Sequence, residues 1–204
     1  MIIVIAGVNG AGKSSVLGSY IRASGGNYFN PDEVTRSLMV TNPTLTLTDA
    51  NAQAWNQSFA NLKDAIANDQ DYTFETTLGG RSISATLLKA AEQGIQVQIL
   101  FVGLDSPEKH IARVAARVAN GGHDIPEEQI RKRWHGAITN LMALIPVCSA
   151  VSVFDNSAGL VNGKPSPVQL FSLVDGEFTV APTPDMPDWA KPLALVAIKL
   201  SGMR

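Results

Sequence analysis

The chain has 204 residues, of which 45% are hydrophobic and 17% charged, so it is long enough for one folded domain and unlike a disordered chain. Its formal net charge of −2 gives no general reason to bind nucleic acid or an anionic membrane. No apolar run approaches the roughly 18 residues that cross a bilayer, and the start lacks the basic lead of a signal peptide. We therefore expect a cytoplasmic protein.

The first half of the chain alternates short apolar runs with amphipathic segments. Residues 1–6 predict a strand buried on both faces, and a glycine-rich turn separates it from a helix over 13–23. A short second strand is expected at 27–30, before a helix over 32–40 that Asn30 caps and Pro31 starts. A long helix then begins at Thr48 or Asp49, with an apolar stripe of Trp55, Phe59, Leu62 and Ile66.

The alternation continues to about residue 154. We expect strands at 71–77, 95–104 and 150–154, and helices over 82–93, 106–120 and 127–145. Ser106 and Pro107 are the N-cap and first residue of the second of these helices. The pattern indicates an α/β domain with a mainly parallel sheet flanked by helices.

The C-terminal part has a different pattern. Two strand-like runs flank Asp175 and Gly176, a residue pair typical of a type I′ hairpin. A proline-rich connector leads to an apolar helix over 189–201. We take 1–204 as a single domain whose C-terminal hairpin and helix occupy about 160–204. The only cysteine, Cys148, lies in an apolar stretch and is expected to be core rather than nucleophile.

The turn after the first strand matches the phosphate-loop pattern G-x-x-x-x-G-K-[ST] at Gly7, Gly12, Lys13 and Ser14. The glycines let backbone N–H groups wrap phosphates, Lys13 reaches the β- and γ-phosphates, and Ser14 is a ligand for Mg²⁺. Further nucleotide contacts are expected from the remaining loop residues, which are Asn9, Gly10, Ala11 and Ser15. The motif predicts a P-loop NTPase or kinase-like fold without naming the nucleotide.

Two acids qualify for the chemistry. Asp105 ends an apolar strand, as in motor ATPases, but it directly precedes Ser106 and Pro107, where an acid favours a helix start, and we prefer that interpretation. Asp32 follows the second strand, at the sheet edge where ligands bind, so it can face the loop and take a proton from an acceptor hydroxyl. Acids are also favoured in the first turn of any helix. Position alone therefore leaves open whether Asp32 is a catalytic base or only an acid at a helix start.

The third strand ends in polar side chains at the same rim. Glu75, Thr76 and Thr77 offer a carboxylate and two hydroxyls for a polar acceptor such as a sugar, and ordinary strand-end polarity is the alternative. Arg81 either contacts phosphate or merely starts the next helix.

The helix over 106–120 carries two arginines, Arg113 and Arg117, opposite an apolar stripe of Ile111, Val114, Ala115 and Val118. The arginines form either a solvated face or part of a lid over about 105–135 that brings positive charge to the phosphates. His123, in a glycine-flanked loop, is either a phosphate contact or a solvated residue. Arg131 and Arg133 project in different directions, so we do not expect both in one cleft.

Five stretches, in order over roughly residues 1–157, resemble the zeta toxin-like P-loop kinases, whose small members often carry the label of ABC-type ATPases. The stretches are "GVNGAGKSS", "NPDEV", "FETTL", "RVAARVANGGHDIPEEQIRKRW" and "FDNS". The resemblance implies a core like that of nucleotide and shikimate kinases. The founding toxins phosphorylate UDP-N-acetylglucosamine at the 3′-hydroxyl of its sugar, using ATP and Mg²⁺.

The resemblance also implies roles for single residues. Lys13 and Ser14 would serve ATP and Mg²⁺, Asp32 would be the base, Glu75 and Thr76 would hold the sugar nucleotide, Arg117 would be a lid arginine, and Asn156 would lie near the adenine. The toxins carry a second lid arginine where this chain has His123, and the lid here is shorter. Nothing in the chain identifies an antitoxin-binding segment, so toxicity is not inferred.

Two functions remain. The first is a small-molecule kinase whose partners are a nucleotide and a hydroxyl acceptor. The alternative is a nucleotide-binding switch or regulatory NTPase that has no acceptor. Asp32 together with Glu75 favours the kinase, because a switch needs no hydroxyl-activating base opposite its phosphate loop.

Overall fold

The computed structural model describes residues 1–159 and 165–202, and it has the predicted α/β architecture. Strands are β1 (Ile2–Ala6), β2 (Tyr72–Thr76), β3 (Val97–Gly103), β4 (Ala150–Asp155), β5 (Val168–Val174) and β6 (Glu177–Val180). A π-helical turn (Ser14–Gly18) runs into α1 (Ser19–Ala23), and the other helices are α2 (Pro31–Thr41), α3 (Leu47–Ala67), α4 (Arg81–Glu92), α5 (Pro107–Ala119), α6 (Glu127–Leu144) and α7 (Lys191–Ser201).

The strands form one sheet in the order β2-β1-β3-β4-β5-β6. The first four are parallel, and β5 and β6 join antiparallel at the β4 edge. Because β1 lies between β2 and β3, the loop after β1 opens at the sheet edge where the neighbouring parallel strands also end. No helix in the described ranges is both long and apolar enough to span a bilayer.

Residues 27–30 do not form the expected second strand. Phe29 makes one parallel bridge to Phe74 of β2, with its N–H donating to Thr73 and its carbonyl accepting from Glu75. Asn30 then caps α2 by accepting from the Asp32 N–H at 3.0 Å, so helix geometry starts before the strand can lengthen.

Helix α3 begins earlier than expected, and its stripe is less buried. Thr46, not Thr48 or Asp49, is the N-cap, because its hydroxyl accepts from the Asp49 N–H and donates to the Asp49 carboxylate. Leu62 is buried and Phe59 and Ile66 are half-buried, but Trp55 is 42% exposed, so only part of the predicted apolar stripe faces the core.

The hairpin and the last helix pack onto the main body. Asp175 and Gly176 adopt φ of 50° and 79°, which fits the predicted type I′ turn between β5 and β6. The core cluster that contains Ile2 also contains Leu193 and Ala197 of α7. The predicted start of this C-terminal part, residue 160, falls outside the described residues.

Cys148 lies against the same core, as expected. Burial raises the pKa of its thiol to about 12. The thiol therefore stays protonated at neutral pH and is a poor nucleophile.

Candidate active site

The glycine-rich turn forms a narrow loop between β1 and the π-helical turn. Gly7, Gly10 and Gly12 have φ of 147°, 84° and 90°, which L side chains rarely adopt. A Cβ on Gly7 would overlap the Val102 carbonyl oxygen, and one on Gly12 would lie 2.6 Å from Asn156 Nδ2. The loop therefore requires glycine at these positions, as a backbone built to approach phosphates does.

Side chains from three distant elements hold this loop. Asn156, after β4, donates its amide to the Ala11 carbonyl at 2.8 Å. His110 of α5 contacts the Asn9 carbonyl through Nδ1 at 2.8 Å, and Arg133 of α6 donates to Asn9 Oδ1 at 2.8 Å. Asn156, predicted near the adenine, is thus buried with its amide bonded to the loop backbone, and its contact with nucleotide stays a prediction.

Glu75 joins the two functional side chains at the end of the loop. Its carboxylate lies 3.4 Å from Lys13 Nζ and accepts from the Ser14 hydroxyl at 2.8 Å. Lys13 and Glu75 are both buried. Glu75 therefore contacts the phosphate loop directly, whereas the sequence interpretation had assigned it to the acceptor alone.

Asp32 faces this group from the first turn of α2. Asn30 links the two, because its Oδ1 accepts from the Asp32 N–H and its Nδ2 donates to Ser14 Oγ at 3.4 Å. The Asp32 carboxylate lies 3.6 Å from Arg117 Nη1 and 3.9 Å from His123 Nε2. Arg117 also donates to the His123 carbonyl at 3.1 Å. The acid, the arginine and the histidine are therefore brought together.

The arginines of α5 are not a solvated face. Arg113, Arg117 and buried His110 lie on one side of the helix, toward the loop and Asp32. Arg113 donates to the Asn156 carbonyl at 2.7 Å. Within the predicted apolar stripe, Val114 is buried and Ala115 is exposed.

A cavity of about 560 Å³ opens beside these groups. Among its lining residues are Asn9, Lys13, Asp32, Glu75, Thr76 and His123, all of which were predicted site residues. Arg81 is exposed at the start of α4 and does not line the cavity, although Gly80 and Ser82 do. The volume is within the range of small-molecule sites.

Asp105 does not line this cavity. It pairs with Lys109 at 2.6 Å, one turn along α5, which fits the preferred interpretation as an acid at a helix start.

Sequence reasoning missed Arg133 as a member of the site. Arg133 lines the cavity and contacts Asn9, whereas Arg131 pairs with Glu108 and Glu127 at the surface, so the two do project apart as expected. Burial lowers the pKa of the Arg133 guanidinium, and the nearby Asp32 charge opposes that shift. The spacing on α6 indicated that the two arginines would not share one cleft, but it did not indicate that either of them would reach the site.

A phosphate loop after the first strand of a parallel sheet, with charged groups converging beside it, defines a P-loop kinase-like domain. The chain belongs to a family of AAA domains, whose model matches residues 2–134. A protein of Haemophilus influenzae described as uncharacterized is 31% identical over 128 residues, which are 63% of this chain and 88% of that protein.

Two solved structures are similar to this fold. A chain of the AvrRxo1-ORF1:AvrRxo1-ORF2 complex crystallised with ATP is 14% identical at a TM-score of 0.66, and the match covers 97% of this chain. This chain spans only 63% of the length of that relative. A chain of the PezAT chromosomal toxin–antitoxin system of Streptococcus pneumoniae is 12% identical at a TM-score of 0.55, with 99% of this chain and 85% of that chain covered. At these identities the similarity shows the fold alone.

Proposed function

We propose that this protein is a kinase that transfers the γ-phosphate of ATP to a hydroxyl of a small molecule. The observation that carries the proposal is the cavity of about 560 Å³ beside the phosphate loop, which Asp32 and Lys13 both line. A switch that only binds or hydrolyses a nucleotide needs no acid of this kind opposite its phosphate loop.

The charges around the cavity support a division of labour. Lys13, Arg117 and Arg133 supply the positive charge that a migrating phosphoryl group needs. The Asp32 carboxylate lies 3.6 Å from Arg117 Nη1. A hydroxyl that is held beside the migrating phosphoryl group can therefore give its proton to Asp32. Thr76 lines the cavity and is a polar contact for the acceptor, and His123 borders the base.

Ser14 and Glu75 fit the requirements of Mg²⁺. Their oxygens are 2.8 Å apart, and Mg²⁺ in kinases is usually bound by few protein oxygens, together with phosphates and waters. Bound there, the ion would neutralise phosphate charge. Glu75 also forms an ion pair with Lys13, so we assign it a role on the nucleotide side in addition to the predicted contact with the acceptor.

The first acceptor to test is UDP-N-acetylglucosamine, which the resemblance to zeta toxin-like kinases implies. The PezAT relative belongs to a toxin–antitoxin system, so co-purification of this chain with a protein partner is a second experiment to make. Arg133 supports the kinase assignment, because it lines the cavity and adds a guanidinium to that of Arg117, which pairs with Asp32.

The test is a screen for acceptor-dependent ADP release. UDP-sugars, nucleosides and simple polyols are each added to the protein with MgATP, and Lys13→Ala is the inactive control. We expect at least one acceptor to raise ADP release in the wild type and none to do so in Lys13→Ala. If ADP release is the same with and without every acceptor, the switch is the better description.

A further inference from the structure

One face of α3 lines the cavity that holds Asp32. Thr48, Asn51, Trp55 and Ser58 follow one another at helical spacings of three and four residues, and all four line the cavity. We call these four residues the α3 face. Three of the four are polar and the fourth is a large aromatic residue, a composition unlike that of a helix face packed in the core. The proposed phosphate transfer assigns no role to any of them.

Trp55 is held as an exposed aromatic surface. It is 42% exposed, and its indole stacks on Phe59 with ring centroids 5.1 Å apart and an angle of 23° between the planes. Lys63 lies over the Phe59 ring one turn further on. The stack fixes the orientation of the indole, so a flat ligand ring would meet a surface that is already ordered.

Asn51 is oriented by a buried neighbour. The hydroxyl of Thr35, which is 2% exposed, donates to Asn51 Oδ1 at 3.0 Å. With its oxygen engaged, the amide presents Nδ2 as a donor, which suits a ring carbonyl or ring nitrogen. Asn51 and Trp55 are one turn apart on the same face.

Ser58 adds an unsatisfied polar group at the base of this face. Its hydroxyl is buried and has no hydrogen-bond partner among the described residues, and the Tyr72 hydroxyl donates to the Ser58 carbonyl instead. A purely apolar ligand would give no hydrogen-bond partner to the Ser58 hydroxyl or to Asn51 Nδ2, which costs binding free energy. A ligand that is flat and also carries polar atoms satisfies all three side chains.

We propose that the α3 face binds the ring of the acceptor, which is a nucleoside-type heterocycle stacked on Trp55 and hydrogen-bonded by Asn51. The inference rests on the proposed function, because the hydroxyl that receives phosphate belongs to the same molecule and must reach Asp32. UDP-N-acetylglucosamine carries a planar ring of this kind, so what the inference adds is the set of residues that bind the ring.

The experiment measures binding without turnover. Uridine and adenosine are titrated by calorimetry into protein saturated with Mg²⁺ and a non-hydrolysable ATP analogue, which keeps the phosphate loop occupied. Methyl riboside, which has the sugar but no nucleobase, is the base-free probe. The variants are Trp55→Leu, Trp55→Phe and Asn51→Ala, with Asn56→Ala as the matched control, since Asn56 is exposed on α3 and does not line the cavity.

We expect at least one nucleoside to bind more tightly than methyl riboside. Trp55→Leu should weaken that binding roughly 5- to 150-fold, the range of losing one aromatic stacking partner, while Trp55→Phe keeps most of it. Asn51→Ala should also weaken binding of the nucleoside, and Asn56→Ala should not. None of these variants should change affinity for the ATP analogue.

Equal affinities for methyl riboside and both nucleosides, or an unchanged nucleoside affinity in Trp55→Leu, would overturn the inference. Its failure is distinguishable from failure of the proposed function. If the protein phosphorylates polyols without a nucleobase, and does so equally well in the Trp55 variants, only the role of the α3 face is contradicted. If it binds nucleosides through Trp55 but never transfers phosphate, only the proposed kinase activity is contradicted.

Discussion

His110 shows how a single residue ties the fold to the phosphate loop. It is buried, and Nδ1 contacts the Asn9 carbonyl. Burial lowers the pKa of the imidazole from 6.5 to about 4, and the nearby positive charges of Lys13 and Arg113 add to that lowering, while the contact to Asn9 opposes it. At neutral pH the ring is therefore uncharged, and Nδ1–H donates to the loop.

This lowered pKa predicts a loss of stability in acid. The unfolded chain binds the proton more readily than the folded chain between pH 6.5 and about 4, so stability falls as the pH drops through that window. Between pH 7 and 5 we expect His110 to account for about 2 kcal/mol of the fall. Urea unfolding at both pH values measures it.

His110→Asn is the variant for this test, because asparagine keeps a donor near Nδ1 and does not titrate. Its free energy of unfolding should depend less on pH than that of the wild type. His135→Asn, which removes an exposed imidazole from α6, is the control. Equal pH dependence in His110→Asn and the wild type would contradict the assignment of a buried neutral ring.

At the scale of elements, α5 connects the loop with Asp32. Arg117, on the inward side of α5, lies 3.6 Å from the Asp32 carboxylate, whereas Arg131 of α6 makes its ion pairs at the surface. We predict that Arg117→Ala slows turnover by about 10²-fold or more, the scale of losing one transition-state charge contact. Steady-state kinetics with a productive acceptor measure this.

Arg131→Ala is the matched control for Arg117→Ala. Surface ion pairs contribute little to stability, so this variant should fold and turn over like the wild type. Similar rates for Arg117→Ala and Arg131→Ala would mean that Arg117 only holds the loop between α5 and α6 in place, through its bond to the His123 carbonyl.

The sequence predicted the elements with strong local signals. The phosphate loop, the Asn30 cap and the Asp175-Gly176 turn are each encoded within a few residues, and the structure has all three. Residues 27–30 failed as a strand because a bridge to β2 and a helix cap compete for the same four residues.

What the sequence could not predict depends on tertiary placement. Trp55 belongs to the predicted apolar stripe of α3, yet it lines the cavity. Helical periodicity cannot distinguish an aromatic residue that lines a cavity from one that packs in the core. Helical spacing alone does not show whether Arg131 or Arg133 faces the cavity, because that depends on how α6 packs. Glu75 was predicted at the right rim, but its contact with Lys13 required the pairing of β1 with β2.

At the scale of the whole molecule, the C-terminal segment supports the nucleotide side of the sheet. Trp189 packs against Gly103, where a Cβ would overlap the indole, and its Nε1 donates to Asp155 Oδ1 at 3.0 Å. Asp155 immediately precedes Asn156, which holds the Ala11 carbonyl. Truncation at Trp189 should therefore affect both stability and nucleotide binding.

We predict that Trp189→Ala lowers the melting temperature by roughly 10 °C, because losing a buried tryptophan typically costs about 3–5 kcal/mol. Wild type and variant should each unfold in one transition, seen equally by circular dichroism and fluorescence, as expected of a single domain. Trp189→Phe should lose less, since it keeps most of the packing. Two separate transitions in the wild type would contradict the single-domain prediction.

The central claim is that phosphate moves from ATP to a hydroxyl that Asp32 deprotonates. The most direct measurement follows radiolabelled γ-phosphate onto an acceptor, with UDP-N-acetylglucosamine and nucleosides tried first, in wild type, Asp32→Asn and Asp64→Asn. Asp64 is exposed on α3 and does not line the cavity, so its variant is the matched control. We expect wild type and Asp64→Asn to label the acceptor, and Asp32→Asn to bind ATP normally but transfer phosphate about 10²- to 10⁴-fold more slowly. Acceptor-independent hydrolysis at equal rates in all three proteins would contradict the claim.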